Sequence, residues 1–314
     1  MRYRSTPMNP DPLTHILQAA GAQPMLTGML HSSGSWCLRF PPPDKIKFMA
    51  ITRGHCYLLR DGEATPYHLE AGDVVFHSEP RGFLMYTDPD APEMDVREVY
   101  PEGPVAVLGE GRELSIVGGH VKVGATSGRY LEELLPRWLH LKGATPAAEI
   151  VRWLLERLVA EAEQALPGAG LASTQLVQLL FVQVLRCHLA ESGDAAAPGR
   201  FRALGDPRLR PALELMHGNP GHPWQLEELA RAAGMSRTSF AVYFREVAGI
   251  PPLTYLAEWR MQSARQRLLE EDVPVATLAE ALGYASESAF SNAFKRHTGL
   301  APKRYRQGAL ATAG

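Results

Sequence analysis

Cysteine is scarce. Cys37, Cys56 and Cys187 are the three in this 314-residue chain, and their spacing makes neither a disulfide framework nor a zinc ribbon or finger. An excess of one charge is lacking too: 32 basic side chains face 34 acidic ones, which excludes a general polycation and an acidic tail. No apolar run reaches the roughly 18 residues that span a membrane. The opening MRYRSTPMNPDPLTHILQAAG is polar and has no apolar stretch of the secretory kind. No phosphate-cradling glycine loop, nucleophile–base pair or paired-carboxylate motif stands out, so an enzyme is not expected. These absences point to a cytoplasmic chain with no membrane partner. Its length leads one to expect two domains or more.

What the chain does have is one pattern twice. LEELARAAGMSRTSFAVYFREVAGI (226–250) is followed by VATLAEALGYASESAFSNAFKRHTGL (275–300). Leu229, Ala230 and Gly234 match Leu278, Ala279 and Gly283 at an offset of 49. Phe240, Phe244 and Gly249 match Phe290, Phe294 and Gly299 at 50, so the second turn has gained one residue. In the first copy Leu229 and Ala230 give a short helix its apolar face, and Gly234 can take the positive φ that ends it. Ser236 is a good N-cap for a second helix. Phe240, Phe244 and Val247 recur there at i, i+4 and i+7, leaving Arg237, Thr238, Ala241, Val242 and Arg245 outward. The second copy turns Phe290 and Phe294 inward and Glu287, Ser288, Ser291, Asn292 and Lys295 outward. Such a pair of helices, with a free face on the second, is built to enter a DNA major groove.

A single pair of this kind is common in helical bundles. Two, each closing on a Gly-hydrophobic-x-Pro exit (Gly249-Ile250-Pro251-Pro252, Gly299-Leu300-Ala301-Pro302), read as a DNA-binding device. With Trp259-Arg260-Met261 and Phe294-Lys295-Arg296 through Pro302-Lys303-Arg304-Tyr305-Arg306, they resemble the AraC/XylS family of bacterial transcription regulators from about Asp206 to Arg306. The resemblance implies one long helix between the motifs, about Pro252 to Leu269, with Leu253, Leu256, Ala257, Met261, Ala264 and Leu268 on one side. It would hold the reading helices about 34 Å apart, one DNA turn. It also implies base-facing roles for Arg237, Thr238, Ala241, Val242, Glu287, Ser288, Ser291 and Asn292. Arg245, Lys295, Arg296, Lys303 and Arg304 are better placed for phosphates. Family members often carry Arg or Gln where Ala241, Val242 and Asn292 stand; here the first two suit a thymine methyl and the third an adenine. Residues 200–308 hold 15 basic against 11 acidic side chains, and the rest of the chain 17 against 23, which fits a local phosphate-binding surface.

Residues 20–130 are of another kind. Lys47-Phe48-Met49-Ala50-Ile51, His55-Cys56-Tyr57-Leu58-Leu59, Val74-Val75-Phe76 and Leu114-Ser115-Ile116-Val117 are short β-prone runs separated by Gly, Pro and Asp. Leu69-Glu70-Ala71-Gly72-Asp73-Val74-Val75-Phe76, then Pro80-Arg81-Gly82, resembles the second half-motif of cupins, small jelly-roll barrels. Gly54-His55-Cys56-Tyr57-Leu58 and Gly118-Gly119-His120 fit the cupin-type sensor domains of the same regulator family. The usual cupin His-x-His pair is absent, and Phe83-Leu84-Met85-Tyr86 stands where a further histidine would be. His31, His55, His77 and His120 are scattered candidates, and no metal site or cofactor is assigned. Alternation puts His55 and Cys56 on opposite faces of their strand. A Met-, Tyr- and Phe-lined barrel suits a small, mostly apolar ligand. Cys37 and Cys56 lie on strands beside which a thiol sensor of oxidants is the other reading; it needs a lowered pKa and solvent access. The ligand or redox candidates are therefore Cys37, Cys56, His55 and His77, with Cys187 structural.

From about Pro146 to Ala190 the pattern is helical. Ile150, Val151, Leu154, Leu155, Leu158 and Val159 make one stripe. After Pro167-Gly168-Ala169-Gly170, a second helix with Leu176, Val177, Leu179, Leu180, Val182, Val184 and Leu185 is apolar nearly all round and is expected to be buried on more than one side. By the same resemblance this region dimerises. Glu191 to Gly199, small and flexible, is the expected linker.

The expected fold is thus α+β and multidomain. A cupin-like β-barrel occupies 1–135, dimerisation helices 136–190 and a linker 191–204; an all-α domain at 205–308 carries two helix–turn–helix motifs joined by a linker helix. The expected function is sequence-specific transcription regulation, in the family's commoner mode activation, responding to a small molecule or an oxidant. The expected partners are double-stranded DNA, RNA polymerase and a second copy of the chain. A cupin metalloenzyme fused to a DNA-binding tail is the alternative, and requires two His and a carboxylate to converge.

Overall fold

The computed structural model describes residues 11–100, 104–124, 128–164, 166–191 and 197–312. Residues 192–196 of the expected linker lie outside them. Contacts divide the chain into two compact units, one from segments 23–122 and 136–191, the other from the described parts of 11–22, 123–135 and 197–312.

The first unit is β-rich. Its strands are β1 (Gln23–Ser32), β2 (Cys37–Phe40), β3 (Ile46–Arg53), β4 (His55–Arg60), β5 (Tyr67–Glu70) and β6 (Val74–His77). They continue with β7 (Phe83–Tyr86), β8 (Glu93–Asp95), β9 (Val105–Leu108), β10 (Leu114–Lys122) and β11 (Trp138–Leu141). One six-stranded sheet runs β11-β6-β3-β10-β1-β9 and a five-stranded one runs β5-β4-β7-β2-β8. Met49, Ile51 and Ile116 from the first meet Leu38, Cys56, Leu58 and Met85 from the second in a shared apolar core. The expected barrel is therefore a sandwich of two open sheets, since no described strand pair joins one sheet to the other and closure requires unbroken pairing.

Residues of β3 are buried on both faces of the strand, because the six-stranded sheet is covered twice. Its other face carries Phe48, Ala50 and Phe76, and Phe76 meets Phe181 at 5.4 Å between ring centroids. Phe181 belongs to α4 (Ala169–Glu191), which pairs with α3 (Glu149–Gln164). The expected stripe on α3 holds for Val151, Leu154, Leu155 and Leu158, but Ile150 is 51% exposed. On α4, Val177, Leu180, Val184 and Leu185 are buried while Leu179 is 43% exposed, so that helix keeps an uncovered apolar side instead of burying all round. It is also the one helix among the described residues long and apolar enough to cross a membrane by length and composition; its inner side packs on β1, β11 and α3.

The second unit is all helical. It holds α1 (Pro12–Ala19), α2 (Gly128–Leu134), α5 (Arg200–Gly205), α6 (Arg210–Gly218), α7 (Leu226–Ala232), α8 (Arg237–Ala248) and α9 (Pro252–Glu270). After these come α10 (Val275–Ala281), α11 (Glu287–Thr298) and α12 (Pro302–Thr312). Two cores lie side by side along the chain. Phe240, Phe244, Val247, Leu229 and Leu213 close around Tyr255 and Leu256, from the first half of α9. Phe290, Phe294, Leu278 and Tyr305 close around Met261, Ala264 and Leu268, from its second half. The single stripe expected on α9 is accordingly wrong at Leu253, 46% exposed, and at Ala257, also exposed. A helix serving two cores turns a different face to each, and Tyr255 and Trp259 take the buried places.

Candidate nucleic-acid interface

Each motif is assembled by local chemistry. Glu228 Oε2 accepts the Gln225 N–H at 2.8 Å and fixes the start of α7. Gly234, at φ +65°, turns the chain out of that helix, and the Met235 N–H reaches back to the Ala230 carbonyl. Ser236 Oγ then accepts the Ser239 N–H at 3.2 Å and starts α8. In the second motif Gly283 is at φ +76° and Ser286 Oγ accepts the Ala289 N–H at 3.1 Å. Both second helices end on a left-handed glycine, Gly249 and Gly299. Phe240, Phe244, Phe290 and Phe294 are fully buried, so the rotation of α8 and of α11 about its own axis is set by packing.

That rotation leaves Arg237, Thr238, Val242 and Arg245 exposed on α8, with Ala241 half-buried. On α11 it leaves Glu287, Ser288, Asn292, Lys295 and Arg296 exposed, with Ser291 half-buried; Lys303 and Arg304 on α12 are exposed as well. The two faces differ in chemistry. Val242, 53% exposed, sits where Asn292 stands in the repeat. Arg237 Nε meets Glu227 Oε1 at 3.1 Å, a solvated pair that an incoming phosphate or base could exchange.

The sequence reading missed what joins the motifs. From α9, Arg260 Nε donates to the Pro220 carbonyl at 2.6 Å and Nη2 to the His222 carbonyl at 2.9 Å. The loop it holds touches the turn of the second motif, where Gly221 and Gly283 approach so closely that a Cβ on either would stand 2.3 Å from a backbone oxygen. Glycine at both places was visible in the sequence, but the pairing joins residues 62 apart and leaves no local pattern.

The sandwich unit has its own candidate site, a cavity of about 440 Å3 between the sheets. Phe40, Met49, Phe83, Met85 and Ile116 line it, with Thr27, His77 and Tyr100 as polar groups and Asp44, Lys47 and Arg97 as charged ones. Burial, then the nearby Lys47 and Arg60, push the His77 imidazole down to about 4, so it is neutral near pH 7. Burial pushes the Tyr100 hydroxyl up to about 12. Three glycines line it: Gly28 on β1 lies opposite Gly118 on β10, beside Gly119. Glycine inside a strand marks close approach or a bulge, and a register shift does lie between Leu26 and Gly28. That signal could have found the cavity.

Of the ligand or redox candidates, His77 lines the cavity; the lining does not include Cys37, Cys56 or His55. Cys56 is fully buried and burial pushes its thiol up to about 12. Burial, then Glu93, raises the Cys37 thiol, while His55 is exposed beside His68. Cys187 is buried and donates to the Ala147 carbonyl. Neither strand cysteine has the lowered pKa that a reactive thiolate requires. Among the described residues no group of three His, Cys, Asp or Glu could hold a metal, so the metalloenzyme alternative gains no support.

Comparison with known proteins agrees with both halves. Residues 11–190 match a cupin family model and residues 229–308 a helix-turn-helix domain model. A protein of Streptomyces antibioticus whose name describes it as an AraC-like transcription regulator is 34% identical over 299 residues, 95% of this chain and 98% of its own length. The RCS-specific HTH-type transcriptional activator RclR of Escherichia coli (strain K12) is 38% identical over 184 residues, 58% of this chain and 64% of its own. The HTH-type transcriptional regulator AlkR of Acinetobacter baylyi is 35% identical over 182 residues, 57% and 59% of the two chains.

Proposed function

We propose that this chain, which belongs to the AraC-type family of DNA-binding transcription regulators, reads DNA through α8 and α11 and answers a small apolar effector held in its sandwich. The observation that carries the reading is the pair of second helices on one shared α9, each with a closed phenylalanine core behind it and an exposed face in front. Thr238, Ala241, Val242 and Arg237 are assigned to bases in one major groove, and Glu287, Ser288, Ser291 and Asn292 to bases in the next. Arg245, Lys295, Arg296, Lys303 and Arg304 are assigned to phosphates. An apolar α8 face favours thymine methyls, and Asn292 favours adenine.

The effector assignment rests on the mostly apolar cavity with its neutral His77 and with Lys47 and Arg97 also in its lining, which suits a mostly apolar small molecule. Self-association through α3 and α4 is supported by Ile150, Trp153, Leu171 and Leu179, all exposed apolar side chains on that helix pair. Activation is the reading that the name of RclR lends, and RNA polymerase would then be the partner of the DNA-bound chain. To test the base assignments, duplexes are first selected from a random pool by the full-length protein. Binding of Arg237→Ala and Asn292→Ala is then measured on single-base variants of the best duplex. Each substitution should lose discrimination at one position; equal losses on every sequence would refute base reading.

A further inference from the structure

Across the internal repeat the cations do not match. Lys295 has Arg245 as its counterpart, but Arg296 has Glu246, and Lys303 and Arg304 have Leu253 and Thr254. The flank of α8 therefore carries an acid where that of α11 carries a base. A cation reaches this flank from outside the repeat. Arg208, in the segment leading to α6, lays its guanidinium over the Tyr243 ring, 4.2 Å from the centroid. Tyr243 stands on α8 one turn before Glu246, and Arg208, Tyr243 and Glu246 line one shallow depression.

Asp206 fixes both parts of this arrangement. Its Oδ1 accepts the N–H groups of Arg208 and Leu209 at 2.8 and 3.0 Å, and its Oδ2 accepts the Tyr243 hydroxyl at 2.7 Å. Arg208 itself is exposed. Among the described residues its side chain has no ion-pair partner. A guanidinium held on an aromatic face keeps its full charge and its outward N–H groups, and less freedom is lost when those groups are used.

We propose that Arg208 contacts a DNA phosphate beside α8, supplying there the charge that Arg296 supplies beside α11. The proposal rests on the reading that α8 and α11 enter DNA grooves. A helix in the major groove has a sugar–phosphate strand along each flank, and Glu246 alone would repel the strand on its side. The competing role for Arg208 is to brace the start of α6 against α8.

The test is the salt dependence of binding by the full-length protein to a duplex that the wild type has selected from a random pool. Arg208→Gln should bind about tenfold more weakly, and the slope of log K against log salt should become shallower by about 0.9, the value of one lost phosphate contact. The loss should be the same on every single-base variant. Arg208→Lys should keep the slope, and so should Tyr243→Phe, which keeps the ring. Arg296→Gln is the internal control and should make the slope shallower by a similar amount. If Arg296→Gln changes the slope and Arg208→Gln does not, the proposal is overturned while groove reading stands. If Arg208→Gln only lowers the unfolding midpoint, the bracing role is right and the proposal is wrong. If neither substitution moves the slope, groove reading itself fails and the proposal falls with it.

Discussion

Alanine at Gly234 and alanine at Gly283 are one change made at equivalent places in the repeat, yet they should have unequal consequences. Both glycines sit in the left-handed region, at φ +65° and +76°. A Cβ in that region costs about 1 kcal/mol. At Gly234 the added carbon meets nothing within 4 Å, so this strain is the whole effect. At Gly283 it would stand 2.3 Å from the Gly221 carbonyl oxygen and 3.1 Å from Arg260 Nη2. The oxygen is backbone and cannot swing aside. Either the loop before α7 or the second motif must move, and the Arg260 hydrogen bonds to Pro220 and His222 are disturbed with it. Overpacking of this kind costs about 1–3 kcal/mol, and a weakened charge-assisted hydrogen bond about 1.5 kcal/mol more. The expected total at Gly283 is then about 4 kcal/mol, against about 1 at Gly234. Hydrogen exchange on the full-length protein reads each motif separately. Protection in α7 and α8 should fall about fivefold in Gly234→Ala, and that in α10 and α11 by several hundredfold or more in Gly283→Ala. Equal losses in the two variants would refute the claim that the Gly221–Gly283 contact fixes the motifs to each other.

Three further outcomes follow from side chains already placed. Arg260→Lys keeps the charge but cannot bridge two carbonyls from one planar head, so the Gly283→Ala phenotype should reappear more weakly, at about 2 kcal/mol by hydrogen exchange. Acid should destabilise the chain through its buried histidines. His77 titrates at about 4 in the fold against 6.5 unfolded, so the unfolded state binds more protons between these values. Stability is then full above pH 6.5 and lost as pH falls toward 4. The slope is about 1.4 kcal/mol per pH unit for each such histidine, and His77→Gln should flatten it in urea titrations; an unchanged slope would show that His77 is not the group responsible. Burial holds His217 well below its ordinary value too, which adds the same sign of dependence in the helical unit. Finally, Cys56 should resist iodoacetamide at pH 7.5 until the protein is unfolded. Rapid native-state labelling would restore the thiol-sensor reading.

Legibility in the sequence tracked locality. The two motifs were readable because glycine turns, serine caps and phenylalanine stripes act within one or two helical turns, and the structure places Phe240, Phe244, Phe290 and Phe294 inward as their spacing requires. Strands β3, β4 and β6 were readable for the same reason, since a β-prone run bounded by Gly, Pro or Asp is a short-range signal. What failed depended on partners distant in sequence. Leu253 and Ala257 were placed inside because one face was assumed for α9, whereas two cores claim different faces of it. Sheet closure is a property of strand ends meeting across the molecule, which no run of residues records. The in-strand glycines of the cavity were visible one by one, but that Gly28 meets Gly118 across β1 and β10 is a pairing of residues 90 apart. Arg208 was passed over because nothing near it in sequence announces Tyr243.

Chain continuity offers a route by which the sandwich can influence DNA binding. Helix α1 runs into β1, and β10 runs on toward α2; Gln23 pairs with Lys122 where these strands meet their connections. Both helices belong to the helical unit. There Ile16 is fully buried, α1 packs on α6 and α9, and the His15 ring stacks 5.9 Å from His217, which lies 4.1 Å from Trp259. The strands that carry the cavity glycines are thus tied by backbone to α2 and to α1, and α1 is seated on α9, the helix that α8 and α11 share. Filling the cavity should matter for α9, and a side chain can stand in for an effector. An added Cβ at Gly118 meets only ordinary contacts, at 3.8 and 4.0 Å, so Gly118→Leu can fill the space without disrupting β10. Its DNA affinity should differ from wild type by a coupling of about 1–3 kcal/mol, or roughly 5- to 150-fold. Ile16→Ala, which loosens α1, should reduce that difference when the two changes are combined, although alone it leaves the cavity untouched. A double-mutant cycle on the selected duplex measures the interaction directly. Additive effects of Gly118→Leu and Ile16→Ala would mean that the cavity speaks to the DNA-binding helices by some other path, or not at all.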